Sequence, residues 1–137
     1  MDKRSVLFIC THNSARSQMA EGLVNAKYGD KWKAYSGGVE PSSVHPMAVA
    51  CMKEIGIDIS AQRSKSINEF RGWMFNVVVT VCDDAARSCP FFPGNKIIHR
   101  PFQDPSVVEG TDEEKLQAFR RSRDEILAYL QRSMGGW

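Results

Sequence analysis

One short stretch of this sequence could carry chemistry by itself: Cys10-Thr11-His12-Asn13-Ser14-Ala15-Arg16-Ser17. A thiol is followed, after five intervening residues, by an arginine and then a hydroxyl. If the stretch is a tight loop running into a helix, its successive backbone N–H groups form a concave anion nest. The unpaired N–H groups at the helix start add roughly half a positive charge. The guanidinium of Arg16 can then grip two oxygens of a tetrahedral anion through parallel hydrogen bonds. The same positive field favours the thiolate of Cys10, the form that attacks electrophiles. Ser17 is placed to donate a hydrogen bond to that sulfur, holding it ionised or easing its later departure. The plainer alternative makes Cys10 the end of a buried strand and Arg16 a solvated helix residue.

The remaining cysteines are Cys51, Cys82 and Cys89. Cys82 ends the apolar run Phe75 to Val81 just as Cys10 ends Val6-Leu7-Phe8-Ile9. If the two runs are neighbouring parallel strands, a spacing of about 4.8 Å puts both cysteines at one sheet edge, where α/β proteins bind ligands. Cys82 could then attack Cys10. In a continuous helix Cys89 would stand about 10.5 Å beyond Cys82, past the roughly 7 Å Cα limit for a disulfide, so bonding them demands a bend or unwinding. Asp83 to Ser88, followed by Pro90, Pro93 and Gly94, has the mixed polarity of a movable surface loop. Two unrelated buried thiols are the alternative. Cys51 lies in the helical run Met47 to Met52, where packing is its expected role. Asp104, just before Pro105, is a carboxylate that could protonate a leaving oxygen, or simply part of a turn.

These residues need a scaffold, and the pattern around them is α/β. The two strong apolar runs lack polar alternation, as expected for parallel strands covered on both faces. Lys33 to Ser36 and Lys96 to His99 are further strand candidates, bounded by Gly37-Gly38 and by Pro90, Pro93 and Gly94; four parallel strands result. A first helix is expected from near Ser17 to Gly29, with Met19, Ala20, Leu23 and Val24 as its apolar stripe. A second should run from Pro46, a favoured first helical residue, to Gly56. A third opens with the capping-box pattern Thr111-Asp112-Glu113-Glu114 and carries Leu116, Phe119, Ile126, Leu127 and Leu130 at near-helical spacing.

Composition bounds the function. With 137 residues, 42% of them hydrophobic, the chain fits one domain, 1–137, that buries a core without metal or disulfide. Eighteen Lys+Arg against sixteen Asp+Glu give a net charge of +2 with no long basic block, so nucleic acid is not an expected partner. The longest apolar stretch falls short of the roughly 18 residues of a spanning helix, and the start lacks an apolar export segment. The expected location is the cytoplasm, with no membrane partner. There thiols are catalytic, redox-active or buried rather than structural disulfides. The lack of a CxxC pair and the scatter of His12, His45 and His99 speak against a metal site.

Taken together, Cys10 to Glu21, the Cys82/Cys89 pair and Phe102-Gln103-Asp104-Pro105 resemble the thioredoxin-coupled arsenate reductases, which share the low-molecular-weight tyrosine phosphatase fold. The likeness extends over Tyr35-Ser36-Gly37-Gly38, Gly56-Ile57-Asp58-Ile59-Ser60 and Arg123-Asp124-Glu125-Ile126. It implies a three-layer α/β sandwich around a four-stranded parallel sheet of order 2-1-3-4. It further implies that Cys10 attacks arsenate held by Arg16 and the loop from Thr11 through His12, Asn13, Ser14 and Ala15 to Ser17, while Asp104 gives the proton with which an oxygen leaves as water. Cys82 would then attack Cys10 and expel arsenite, and Cys89 would attack Cys82. Thioredoxin would reduce the resulting Cys82–Cys89 disulfide, with glutaredoxin or mycothiol-type donors as alternatives, and no tightly bound cofactor is required. A monomer is expected.

The sequence also departs from the pattern of the family it resembles. Some members hold a potassium ion with residues matching Asn13, Glu21 and Ser36 plus an aspartate, where this chain has Lys65. A cation site is therefore not expected, and the Lys65 ammonium could supply the ion's charge. His12 and Ala15 replace a glycine and a cysteine found in some relatives. The closest rival is a low-molecular-weight tyrosine phosphatase, in which Cys82 and Cys89 would be spectators; such enzymes carry a tyrosine soon after the Asp-Pro pair, whereas Ser106-Val107-Val108 follows here. A non-enzymatic thiol sensor would need neither Arg16 nor Asp104.

Overall fold

Two apolar runs too short to be helices become the central strands, and the pairing around them sets the edge on which the cysteine loop opens. The structure is a computed structural model and describes residues 3–82 and 92–137. In chain order its main elements are β1 (Arg4–Cys10), α1 (Arg16–Lys27), β2 (Trp32–Gly38), α2 (Pro46–Lys53), β3 (Phe75–Thr80), β4 (Gly94–His99) and α3 (Asp112–Ser133). Short 3₁₀ turns lie at Ile67–Phe70, Pro105–Val107 and Met134–Gly136. The strands form one parallel sheet of order β2-β1-β3-β4. The parallel strands bring the C-terminal ends of β1, β2 and β3 to one edge.

Side chains alternate along β1, and the two sets enter different cores. Val6, Phe8 and Cys10 join Met19 and Leu23 of α1, Ala48 and Met52 of α2, and Phe119, Ile126 and Leu130 of α3. Leu7 and Ile9 face a second cluster with Phe70, Phe75, Val78 and Phe92. Among the described residues α1, α2 and α3 thus pack on one face of the sheet, and the 3₁₀ turn at Ile67–Phe70 and edge-packed aromatic rings lie on the other, with Tyr35 5.2 Å from Trp73 and 5.8 Å from Phe70. Burying each large side chain of these clusters contributes about 1.5–3 kcal/mol. The outer strand β4 is only partly covered, with Ile97 49% exposed, and so lacks the unbroken apolar run of β1.

Helix ends follow their chemistry. Thr111 caps α3 through the complete capping box with Glu114. α2 stops at Lys53 and the chain turns through Gly56 at φ +81°, a conformation that favours glycine. Its C-terminal end is held to α3, because Arg123 donates to the Cys51 carbonyl at 2.7 Å and to Glu54 at 3.0 Å, while Arg120 grips the same carboxylate. These bonds hold the Glu54 carboxyl below the usual carboxylate range. Several boundaries differ from expectation: α2 ends short of Gly56, and Gly94, expected to bound the fourth strand, is its first residue. α1 begins at Arg16, one residue before Ser17, and β2 runs through Gly37-Gly38 instead of breaking there, because Gly38 pairs with Cys10. No helix among the described residues is long and apolar enough to cross a membrane.

Candidate active site

Cys10 is the last residue of β1, and the chain turns from it directly into α1. No side chain caps the N-terminus of α1, where Ala15 holds the N-cap position, so the helix presents its first N–H groups to the loop. The carbonyls of the loop are held away from it. Thr11 O accepts from Glu40 N at 2.8 Å, His12 O from Ser42 N at 3.3 Å and Ser64 Oγ at 2.9 Å, and Ser14 O from His45 N at 3.0 Å. Asn13 O accepts from Gln18 Nε2 at 3.0 Å. With its carbonyls tied to surrounding chain, the loop offers its amides to an anion.

Asn13 makes the turn possible. It adopts φ +50°, a left-handed conformation that asparagine tolerates better than most residues, and it is fully buried. Its Oδ1 accepts from Gln18 Nε2 at 2.8 Å and from Lys65 N at 2.9 Å. Its Nδ2 donates to Ser17 Oγ at 2.8 Å, and Ser17 Oγ lies 2.9 Å from Cys10 Sγ. Ser17 Oγ accepts from Asn13 and keeps its own hydroxyl proton available for the sulfur, the direction a Cys10 thiolate would use.

Arg16 is 5% exposed, and its Nη1 donates to Phe102 O at 3.0 Å. Its Nη2 lies 3.5 Å from Asp104 Oδ2. Asp104 caps the 3₁₀ turn Pro105–Val107, its Oδ1 accepting from Ser106 N at 2.9 Å and Ser106 Oγ at 2.7 Å. That leaves Oδ2 as the oxygen directed at Arg16. Cys10, His12, Ser14, Ala15, Arg16 and Asp104 line one open cavity of about 210 Å³, together with Ser42, His45 and Ser106.

The other sequence-predicted residues fall around this cavity. Thr11 Oγ1 is buried and finds no hydrogen-bond partner among the described residues, so Thr11 contributes backbone. His12 turns its Nδ1 to Glu40 O at 3.0 Å. Cys82 lies just past β3 with its Sγ 3.7 Å from Ile9 O, beside β1 and one residue from Cys10 along that strand. Cys89, and the Asp83 to Ser88 segment read as movable, lie outside the described residues. Cys51 is buried against Met19, and burial pushes its thiol up to about 11, so it remains protonated near neutrality. Lys65 Nζ lies 3.6 Å from Glu21 Oε1, the carboxylate oxygen to which Ser36 Oγ donates at 2.5 Å. No cluster of three metal-ligating side chains occurs among the described residues.

Sequence reasoning missed His45, Ser42 and Ser64, and the buttressing by Gln18 and Gln62, whose Nε2 donates to Gln18 Oε1 at 2.7 Å. Most of these act through backbone atoms or through contacts distant in sequence, which leave little trace in residue type.

Residues 5–126 match the family model of the low molecular weight phosphotyrosine protein phosphatases. The chain belongs to this family. Within it, the chain is 52% identical over 127 residues to the arsenate reductase of Halalkalibacterium halodurans, covering 92% of this chain and 91% of that one. Among solved structures, an arsenate reductase in an oxidized state superposes with a TM-score of 0.81 at 31% identity, covering 96% of this chain and 97% of that one. A thioredoxin-dependent arsenate reductase of Corynebacterium glutamicum gives a TM-score of 0.62 at 27% identity, over 96% of this chain and 63% of that one.

The family loop tolerates little intrusion from its neighbouring strand. A Cβ at Gly38 would stand 2.7 Å from Thr11 O and 2.9 Å from both Asn13 N and Cys10 O, all backbone atoms. Gly38→Ala is therefore expected to displace the nest while leaving the fold, and to lower oxyanion-dependent turnover on the order of 100-fold. Steady-state kinetics beside far-UV circular dichroism checks this.

Proposed function

We propose that this chain reduces arsenate to arsenite through Cys10, Cys82 and Cys89, with thioredoxin as the electron donor. The observation that carries the proposal is the pairing of an oxyanion nest holding Cys10 with a second cysteine, Cys82, at the end of the adjacent parallel strand. The Arg16 guanidinium and the loop amides orient the tetrahedral anion and neutralise its charge. The Cys10 thiolate attacks arsenic, and one oxygen leaves as water with a proton from Asp104. This forms a Cys10–arsenic bond without changing the oxidation state.

Electron transfer follows in the next step. The Cys82 thiolate attacks Cys10 Sγ, a Cys10–Cys82 disulfide forms, and the sulfur–arsenic bond breaks with its electron pair going to arsenic, which leaves as arsenite in oxidation state III. Cys89 then attacks Cys82, freeing Cys10 and leaving a Cys82–Cys89 disulfide. A thioredoxin dithiol takes up that oxidation by exchange. The Corynebacterium glutamicum relative is the support for thioredoxin over other thiol donors. The enzyme would work as a cytoplasmic monomer without bound cofactor. In place of a potassium ion, the Lys65 ammonium would neutralise Glu21 beneath the loop.

Cys82→Ser and Cys89→Ser are expected to stop multiple turnover of arsenate with thioredoxin, its reductase and NADPH, while sparing any weak phosphoester cleavage. Asp104→Asn is expected to slow both reactions by about 10²–10⁴-fold. A phosphatase would lose nothing in the cysteine variants, and a thiol sensor would show neither reaction. Turnover of the parent should be the same in potassium and sodium buffers of equal ionic strength; specific activation by potassium would contradict the role given to Lys65.

A further inference from the structure

His45 stands immediately before Pro46, at the N-cap of α2. N-caps are ordinarily Ser, Thr, Asp or Asn. Here the imidazole does the work, because Nδ1 accepts the Met47 N–H at 3.1 Å. That bond has a chemical consequence: a ring nitrogen that accepts carries no proton, so the proton of the neutral ring is on Nε2. The rest of the residue is fixed as well. Its backbone N–H donates to Ser14 O at 3.0 Å, and its ring packs on Phe119 with centroids 4.6 Å apart. His45 lines the same cavity as Cys10, Arg16 and Asp104. Partial burial pulls its pKa below the usual 6.5, outweighing the pull of Asp104 in the other direction, so the ring is neutral at physiological pH.

We infer that His45 is a substrate-binding residue, presenting its Nε2–H as an uncharged donor to the oxyanion oxygen on the Asp104 side of the cavity. The loop amides and Arg16 account for part of the anion's oxygens; His45, Asp104, Ser42 and Ser106 line the same cavity, and the Asp104 charge acts on the His45 ring. Asp104, once it has delivered its proton, is a carboxylate and would repel an anion there. A neutral donor holds the anion without adding a second cation beside Asp104, whose Oδ2 already lies 3.5 Å from Arg16 Nη2. The tautomer needed for this is fixed by the helix cap, so one hydrogen bond serves both the fold and the ligand. The inference rests on the proposed oxyanion chemistry and adds a ligand to it.

Two substitutions separate the cap from the donor. His45→Asn keeps an N-cap acceptor for Met47 N, while its amide donors sit closer to the backbone than Nε2 and fall short of the cavity oxygen; His45→Ala removes cap and donor together. Binding of inorganic phosphate, measured by titration calorimetry, needs no redox turnover. H45N is expected to keep the parent's melting temperature, to bind phosphate about tenfold more weakly, and to lose at least as much in kcat/KM for arsenate. Parent-like phosphate binding and kcat/KM in H45N, with losses confined to H45A, would reduce His45 to a helix cap and overturn the inference. A parent that binds phosphate but does not reduce arsenate would refute the proposed activity instead, and weaker phosphate binding by H45N would still support the ligand role.

Discussion

The loop between β1 and α1 binds an anion only if its amides converge on one point, and backbone amides converge only when the carbonyls between them are held elsewhere. Glu40, Ser42 and His45 supply three backbone N–H groups to those carbonyls, Ser64 and Gln18 supply side chains, and Asn13 accepts the left-handed turn that results. Each of those carbonyls would otherwise be a buried negative dipole competing with the anion. The rest of the site depends on this arrangement. Ser17 reaches Cys10 because Asn13 is fixed, and Asn13 is fixed by Gln18 and by the backbone of Lys65.

Parallel pairing then decides which groups meet around the nest. Ile9 lies opposite Thr80, so the chain beyond β3 passes directly beside Cys10, and Cys82 follows within two residues. The segment after β4 reaches the same edge, where the Phe102 carbonyl and the Asp104 carboxylate take opposite branches of the Arg16 guanidinium. A planar group held at two of its nitrogens loses little further freedom when it meets a ligand. The arginine is thus aligned for a tetrahedral anion by residues some ninety positions away in sequence.

Much of this was legible in the residues, for identifiable reasons. β1 and β3 announce themselves because central parallel strands are buried on both faces, and α3 because Thr111 and Glu114 form its cap. β2 and β4 were fainter, since outer strands mix polar with apolar residues. Gly37-Gly38 reads as a strand end, yet Gly38 is in the strand, and glycine is there because a Cβ would strike the loop backbone. Cys10 and Arg16 could be singled out as candidates from their chemistry, and Asp104 only with a plain turn left open; the fold brings all three to one cavity. The 40–45 segment could not, because its contribution is three amide protons, which almost every residue type carries. His45 was visible as a histidine but not as a lining residue, since only the tertiary fold brings α2 beside the nest.

The proposed reduction requires sulfur to pass its oxidation to sulfur at one sheet edge. The most direct measurement is a single turnover of Cys89→Ser with arsenate in the absence of thioredoxin, quenched with acid and mapped by peptide mass spectrometry. A Cys10–Cys82 disulfide formed in step with one equivalent of arsenite is the expected result. Arsenite released while Cys82 remains a thiol would contradict it.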